Sequence, residues 1–509
     1  MNLSVIKSSC IESGEIRTVD VEVSLNNGLP YYNVVGLADS AIKESRERVR
    51  NAIKNSSFFW PDKRITVNLS PAWFNKKGSS FDLAISLAIL QASKQIPEEL
   101  KIACWGELSL DGGIETVPEA LALTDGIIQS EDEHLIIIPE EAKAQTESFI
   151  TGINYASTLK DLVYVLINEK NLKYKHEKVK HDETIKTLDK SITLPIDLQK
   201  AAWRACQISV AGGHHLLMEG SAGSGKSSLA RACKYLQENL NREEKYNLAL
   251  KYSSLAYELK YFDLDYGIFR EPHHSITQAA LFGGSYKYPI GELALADGGI
   301  LYLDEINQFP NPILDSLRKV LEEFTIERFI NGKLIKQLCR FILIATCNPC
   351  KCGNLFERES TCICSDGDIR RYRSKLNTPF FDRISLFINL QNLNKEKLNL
   401  TMAKSDFNLS KYKEKVILAI ERQRSRYEGL VEDGFNYNGR VDINELQKTL
   451  QLKADSKVTF KNISETLNLS IRSYQSILRV ARTIADLENS NFVLEEHILE
   501  ALTYRRQAY

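Results

Sequence analysis

Two short segments carry residues whose chemistry works only in combination. The first, Gly220-Ser221-Ala222-Gly223-Ser224-Gly225-Lys226-Ser227, places glycines where a tight turn can aim backbone N–H groups at one point, and ends in a lysine and a hydroxyl. A loop of this kind ahead of a helix cradles phosphates, with the lysine reaching the terminal groups and the hydroxyl ligating magnesium. The expected nucleotide-binding set therefore runs from Gly220 through Lys226 and Ser227 to Ser228. The second segment, Gly299-Ile-Leu-Tyr-Leu-Asp304-Glu305, is an apolar strand ending in two carboxylates. Asp304 can hold the magnesium, often through water, and Glu305 can polarise an attacking water. Together the halves specify binding and hydrolysis of ATP with Mg2+.

Further residues fall where such a site needs help. Asn348 follows the apolar run Phe341–Ala345, where a side-chain amide can orient the water or touch the γ-phosphate; the alternative is an ordinary loop asparagine before proline. Arg383, in Asp382-Arg383 at the start of another apolar strand, is a candidate arginine finger for a neighbouring subunit's nucleotide, or else half of a surface ion pair. Arg472 opens a long C-terminal helix from which it can contact the nucleotide, although arginines on amphipathic helices are usually solvated. Phe324–Arg340 carries Asn331-Gly332 between two extended runs, a tight-hairpin signal. Arg328, Lys333 and Lys336 would decorate that hairpin, either to grip a nucleic-acid backbone or simply to keep it solvated. Cys350-x-Cys352 and Cys362-x-Cys364 supply four thiolates, enough to close a tetrahedral structural Zn2+ site that need do no chemistry.

The elements that must position these groups follow from hydrophobic period and breakers. Residues 1–168 alternate strand and helix signals, with strands expected at Thr18–Leu25, Arg64–Leu69 and His134–Ile138 and helices at Ala38–Asn55 and Phe81–Ala92. Residues 169–190 are polar and lysine-rich, a linker or a solvated helix. Residues 191–390 read as a doubly wound α/β core, with His214–Met218 feeding the phosphate loop and a helix Ser227–Leu240 leaving it. Residues 391–509 are helical by period. A chain of 509 residues has room for two to four domains with sizeable cores. No apolar run approaches the roughly 20 residues of a spanning helix, and the amino terminus reads as a strand with no signal peptide, so no membrane partner and a cytoplasmic location are expected. A formal net charge of −1 argues against whole-surface affinity for nucleic acid, leaving only local basic groups.

Larger patterns resemble a known family. Arg270-Glu-Pro-His273-His274, Gly283-Gly284, Gly291-Glu292-Leu-Ala-Leu-Ala-Asp-Gly298-Gly299, Asn348-Pro-Cys-Lys-Cys-Gly353, Ile369-Arg370-Arg371-Tyr372 and Ser470-Ile-Arg472 are similar to the ComM (YifB-type) family of magnesium-chelatase-like AAA+ proteins. Val34-Val-Gly-Leu-Ala-Asp39 and Val67-Asn-Leu-Ser-Pro71 extend the likeness over nearly the whole chain. The resemblance implies an AAA+ P-loop core with a helical lid, preceded by an α+β Lon-protease-like domain. It also implies a homohexameric ring acting on single-stranded and branched DNA, with ATP-driven branch migration in natural transformation and recombination proteins as possible partners. On that resemblance Arg383 matches the finger, Arg472 the lid arginine, and an insert at about residues 270–290 faces the pore. Arg270 and Lys287 in the insert then join Arg328, Lys333 and Lys336 as candidate DNA contacts. Ser221-Ala222 stands where the family usually has two prolines, which alters loop stiffness more than ligation.

Lon-type peptidases activate a serine with a lysine. Gly78-Ser79-Ser80 resembles the serine's place, but the lysine's place falls at about Leu121, so no peptidase activity is expected and Ser80 is read as a helix-start residue. Three rival functions share parts of this pattern: a magnesium-chelatase ATPase subunit, an enhancer-dependent transcription activator and a non-enzymatic ATP-gated scaffold. The activator's Gly-Ala-Phe-Thr-Gly-Ala loop is absent from the sequence.

Overall fold

A strand that buries one face must alternate, and Glu15–Asn26 does: Val19, Val21, Val23 and Leu25 are buried while their neighbours are more exposed. The computed structural model containing this strand describes residues 2–12, 15–129, 134–168, 172–178, 199–257, 266–284, 290–330, 333–355, 362–376, 378–390, 409–430 and 436–505. Two compact units emerge, one of Met1–Ile185 with Leu240–Leu264, the other of Lys186–Asn239 with Asp265–Tyr509.

In the first unit, β1 (Asn2–Glu12) and β2 (Glu15–Asn26) pair antiparallel from Asn2↔Leu25 to Glu12↔Glu15. With β3 (Tyr31–Val35), β4 (Arg64–Ser70), β5 (Ile102–Cys104), β6 (Leu135–Pro139) and β7 (Asn154–Ala156) they form a mixed sheet of order β7-β6-β5-β1-β2-β4-β3. Helix α1 (Ser40–Asn55) starts where Asp39 accepts the Ile42 N–H at 2.9 Å. Helix α2 (Asp82–Ala92) is buried on every side, as its all-round apolar sequence requires. The expectation for Ser80 fails here. Phe81 occupies the N-cap without a side-chain bond, and the buried Asp82 takes a bidentate pair with Arg48 at 2.6 and 3.1 Å.

A helix from further along the chain, Arg242–Ser253, also belongs to this unit. A capping box between Asn241 and Glu244 starts it. Tyr246 donates to Asp125, and the Ser253 hydroxyl accepts the Ala122 N–H at 3.0 Å on α3 (Ala120–Ile128). Leu121 is buried in the same apolar cluster as Tyr246 and Ala249.

The second unit is built on a parallel sheet. Its strands are β8 (Leu216–Gly220), β9 (Phe269–Arg270), β10 (Ile300–Leu303), β13 (Ile342–Cys347) and β14 (Leu386–Leu390), with the antiparallel pair β11 (Thr325–Ile330) and β12 (Lys333–Leu338) entering between β10 and β13. The order is β9-β10-β13-β8-β14. Strands β10 and β13 are buried throughout, as parallel strands covered on both faces must be. Leu216 and Met218 face a core shared with α4 (Lys200–Gly212), α8 (Leu409–Tyr427), α9 (Ile471–Leu487) and α10 (Glu495–Thr503), while Leu217 faces the cluster of α6 (Asn311–Glu323).

Two boundaries around the phosphate loop differ from the sequence reading. β8 begins at Leu216, because α4 ends on the left-handed Gly213 and the His214 N–H returns to the Ser209 carbonyl. The helix leaving the phosphate loop, α5, spans only Lys226–Ala232 before a 3-10 turn at Cys233–Leu236, and the next helix is the one capped by Asn241.

Candidate nucleotide site and its surroundings

Gly220 ends β8, and the left-handed backbone at Gly223 (φ 80°) and Gly225 (φ 88°) turns the loop into α5. Lys226 Nζ donates to the carbonyls of Gly220 and Ser221, each at 2.6 Å, and burial lowers its pKa. The ammonium is thus held by exchangeable carbonyls at the mouth of the loop.

Asp304 lies opposite, its carboxylate 3.3 and 3.4 Å from the Ser227 hydroxyl. Neighbouring ligands of an octahedral Mg2+ with metal–oxygen distances near 2.0–2.1 Å lie about 2.9 Å apart, so a small closure would let both oxygens share the ion, and a hydroxyl with a carboxylate is an oxygen donor set that magnesium takes. Desolvation raises the Asp304 pKa, but hydrogen bonds from Thr346 and Ser227 outweigh it and hold the carboxyl below its ordinary value. Thr346 is a member the sequence reading missed. Its hydroxyl donates to Asp304 at 2.5 Å and accepts the Glu305 N–H at 3.0 Å, so one residue of β13 fixes both acids. Glu305 itself is left-handed (φ 48°), a strained conformation for a side chain that must leave the strand end sideways. Asn348 donates to Glu305 Oε1 at 3.3 Å and Gln308 donates to the other oxygen. Asn348 is thereby brought onto the carboxylate that ends the Asp-Glu strand.

The two candidate arginines converge elsewhere. Arg383 donates to Glu322 Oε2 at the end of α6, and Arg472 at the start of α9 donates to Glu322 Oε1 at 3.2 Å. Arg383 precedes Leu386, which pairs with Leu216, whereas the phosphate loop leaves from Gly220, which pairs with Leu390. The backbone of Arg383 thus lies at the opposite strand end from its own loop, about 13 Å along the sheet, and Arg472 meets it there on Glu322. Glu322, half exposed, had no sequence signal because its partners are 61 and 150 residues away.

Of the candidate DNA contacts, Arg270 makes a bidentate pair with Glu292 at 2.7 Å for both bonds. The hairpin forms as expected, with Ile330↔Lys333 closing a two-residue loop; Asn331-Gly332 lies outside the described residues. Lys336 is exposed on β12, Arg328 and Lys333 lie on the paired strands, and Lys287 falls outside the described residues. In the first unit, Ser79 donates to Glu107 and Leu121 is in the core. The four cysteines come together, with Sγ separations of 3.3 Å (350–352), 3.7 Å (350–362) and 3.6 Å (352–362), and all four sulfurs within 4.8 Å.

A phosphate loop on β8, an Asp-Glu pair two strands away on β10 and a β9-β10-β13-β8-β14 order define a magnesium-chelatase-like AAA+ core. The family model for magnesium chelatase, subunit ChlI, matches residues 195–398; those for subunit ChlI of Mg-chelatase and for the ChlI C-terminal region match residues 21–142 and 408–505. The chain is 33% identical to the competence protein ComM of Haemophilus influenzae, covering 99% of this chain and 98% of that protein. It is 31% identical to YifB of Escherichia coli, covering 99% and 97%, and 30% identical to Rv2897c of Mycobacterium tuberculosis, covering 97% and 96%. The chain belongs to the ComM/YifB family of magnesium-chelatase-like proteins, and its AAA+ core implies ATPase activity. Among the described residues no helix is long and apolar enough to cross a membrane.

Proposed function

We propose that this protein is an ATP-driven DNA motor that works as a homohexameric ring in the cytoplasm, moving branched DNA during recombination. The competence role carried in the name of its Haemophilus relative favours branch migration of DNA taken up by the cell. The observation that carries the reading is the position of Arg383 and Arg472, grouped on Glu322 at the strand end remote from their own phosphate loop. An arginine so placed is useful to hydrolysis only if a neighbour's nucleotide is brought to it. In the ring, Lys226 and the loop N–H groups bind ATP, while Ser227 and Asp304 hold Mg2+. Glu305, steadied by Asn348 and Gln308, positions the water. Arg383 and Arg472 of the next protomer balance charge on the γ-phosphate.

The hairpin β11–β12, with Arg328, Lys333 and Lys336, and the insert carrying Arg270 and Lys287 follow the DNA backbone through the pore. Only once Arg270 leaves Glu292 can it take part. A structural zinc on the four cysteines completes the cofactors. The Lon-like front domain carries no peptidase chemistry.

Size analysis with and without ATP, run beside unwinding of forked and four-way-junction DNA, tests this proposal. Wild-type protein should assemble with ATP and unwind, and Glu305→Gln should bind ATP yet leave the DNA intact. A protein that stays monomeric with ATP and DNA while hydrolysing at full rate refutes it.

A further inference from the structure

The turn that carries the first cysteine pair lies beside the phosphate loop. Cys350 is two residues past Asn348 and is fully buried, and the Gly353 N–H returns to its carbonyl at 3.1 Å. Gly353, left-handed at φ 82°, lies against the phosphate loop: a Cβ built there would sit 3.7 Å from the Ala222 nitrogen and 3.9 Å from its Cβ. The turn Cys350–Gly353 therefore abuts the backbone whose N–H groups face the phosphates.

The second cysteine pair is connected to the same place by another path. Cys364 is followed by Ser365, which caps α7 (Asp366–Ser374) by accepting the Asp368 N–H at 3.1 Å. Near the end of α7, Arg373 donates to the Pro349 carbonyl at 3.2 Å and to Glu219 at 3.1 Å. Glu219 is the residue before Gly220, and Pro349 the residue after Asn348. Arg373 thus ties the residue entering the phosphate loop to the residue leaving the water-orienting asparagine. Joining the two cysteine pairs would close the chain between these anchors.

The sulfurs are spaced for a metal rather than a disulfide. Separations of 3.3–3.7 Å far exceed an S–S bond of about 2.05 Å, and approach the roughly 3.8 Å edge of a thiolate tetrahedron with Zn–S near 2.3 Å. We infer that one zinc ion bound by Cys350, Cys352, Cys362 and Cys364 holds Gly353 and Asn348 in place against the phosphate loop, so that zinc occupancy sets nucleotide affinity. This inference rests on the ATP reading of that loop and adds its regulation.

The test uses the full chain. Elemental analysis of natively purified protein should give one zinc per chain, and Co2+ exchanged into the site should show a thiolate charge-transfer band. A zinc-selective chelator, with Mg2+ kept in excess, should weaken binding of a fluorescent ATP analogue about tenfold, and zinc added back should restore it. The double variant Cys362→Ser/Cys364→Ser should lose zinc and bind nucleotide as the chelated protein does, with its circular-dichroism spectrum retained. Zinc-free native protein with no cobalt–thiolate band overturns the site. Zinc that can be removed and returned without changing nucleotide affinity overturns the coupling. Zinc-loaded wild type that binds no nucleotide overturns the ATP reading itself, and the coupling with it.

Discussion

The two units contain similar polar residues and use them in opposite ways. In the first, Ser79 is bound to Glu107, Asp82 is locked to Arg48, and the position expected to hold a peptidase lysine is the buried Leu121. In the second, Lys226 rests on backbone carbonyls, Ser227 and Asp304 face each other at 3.3 Å, and Arg383 and Arg472 share a half-exposed glutamate. Groups already satisfied by well-packed partners stabilise a fold. Groups held by exchangeable partners at strand ends can trade them for a ligand. The comparison teaches that the state of a residue's partners, more than its type, separates structure from chemistry.

That contrast can be broken in several places. Replacing Arg383 by alanine should reduce ATP turnover by about 10³–10⁵-fold without loss of nucleotide affinity, measured as steady-state hydrolysis beside equilibrium binding. Glu305→Gln should cost about 10²–10⁴-fold in turnover and again spare binding, since only the water's activation is lost.

The next effect is on stability. Asp486, fully buried, pairs with Arg482 at 2.9 Å and with Arg426, and also accepts from Asn438 at 2.9 Å. Asp486→Ala would strand a buried guanidinium and should destabilise the second unit by about 3–5 kcal/mol in denaturant titration.

A smaller change should come with pH. Burial, then the charges of Arg479 and Arg440, lowers the His214 pKa from 6.5 to about 3, while its Nε2 bonds the Thr483 hydroxyl at 2.8 Å. The unfolded chain then takes up a proton that the folded chain refuses. Stability conferred by neutral His214 is complete above 6.5 and is lost as pH falls from there toward 3, and His214→Gln should flatten that slope. Smallest of all, Ser79→Ala should shift first-unit stability by about 0.5–1.5 kcal/mol and leave ATP hydrolysis unchanged. A large loss of turnover in that variant would erase the contrast between the units.

What could be read from the sequence was local. The phosphate loop, the Asp-Glu strand end and the Asn-Gly hairpin each occupy a short window whose spacing carries its own mechanism. The cysteines could be paired on paper because each CxC fixes two sulfurs. Features that depend on distant residues were hidden: Glu322 between two arginines, Thr346 beneath both acids, and Arg373 between Glu219 and Pro349. The helix Arg242–Ser253 is an intermediate case. Its Asn241–Glu244 capping box is a local signal that the sequence reading passed over, and membership in the first unit depends on Tyr246 and Ser253 meeting α3. Ser80 failed because a hydroxyl near a helix start was read as a cap, whereas the structure begins the helix one residue later on a buried carboxylate.

The central claim is that Arg383 completes a neighbour's site, and mixing two inactive variants tests it most directly. Lys226→Ala keeps the arginine but cannot bind ATP, and Arg383→Ala binds ATP but lacks the arginine. If the site is shared, the mixture should hydrolyse ATP where neither protein does alone, with activity greatest near equal proportions. A mixture as inactive as its components, under conditions where they co-assemble, would contradict the account.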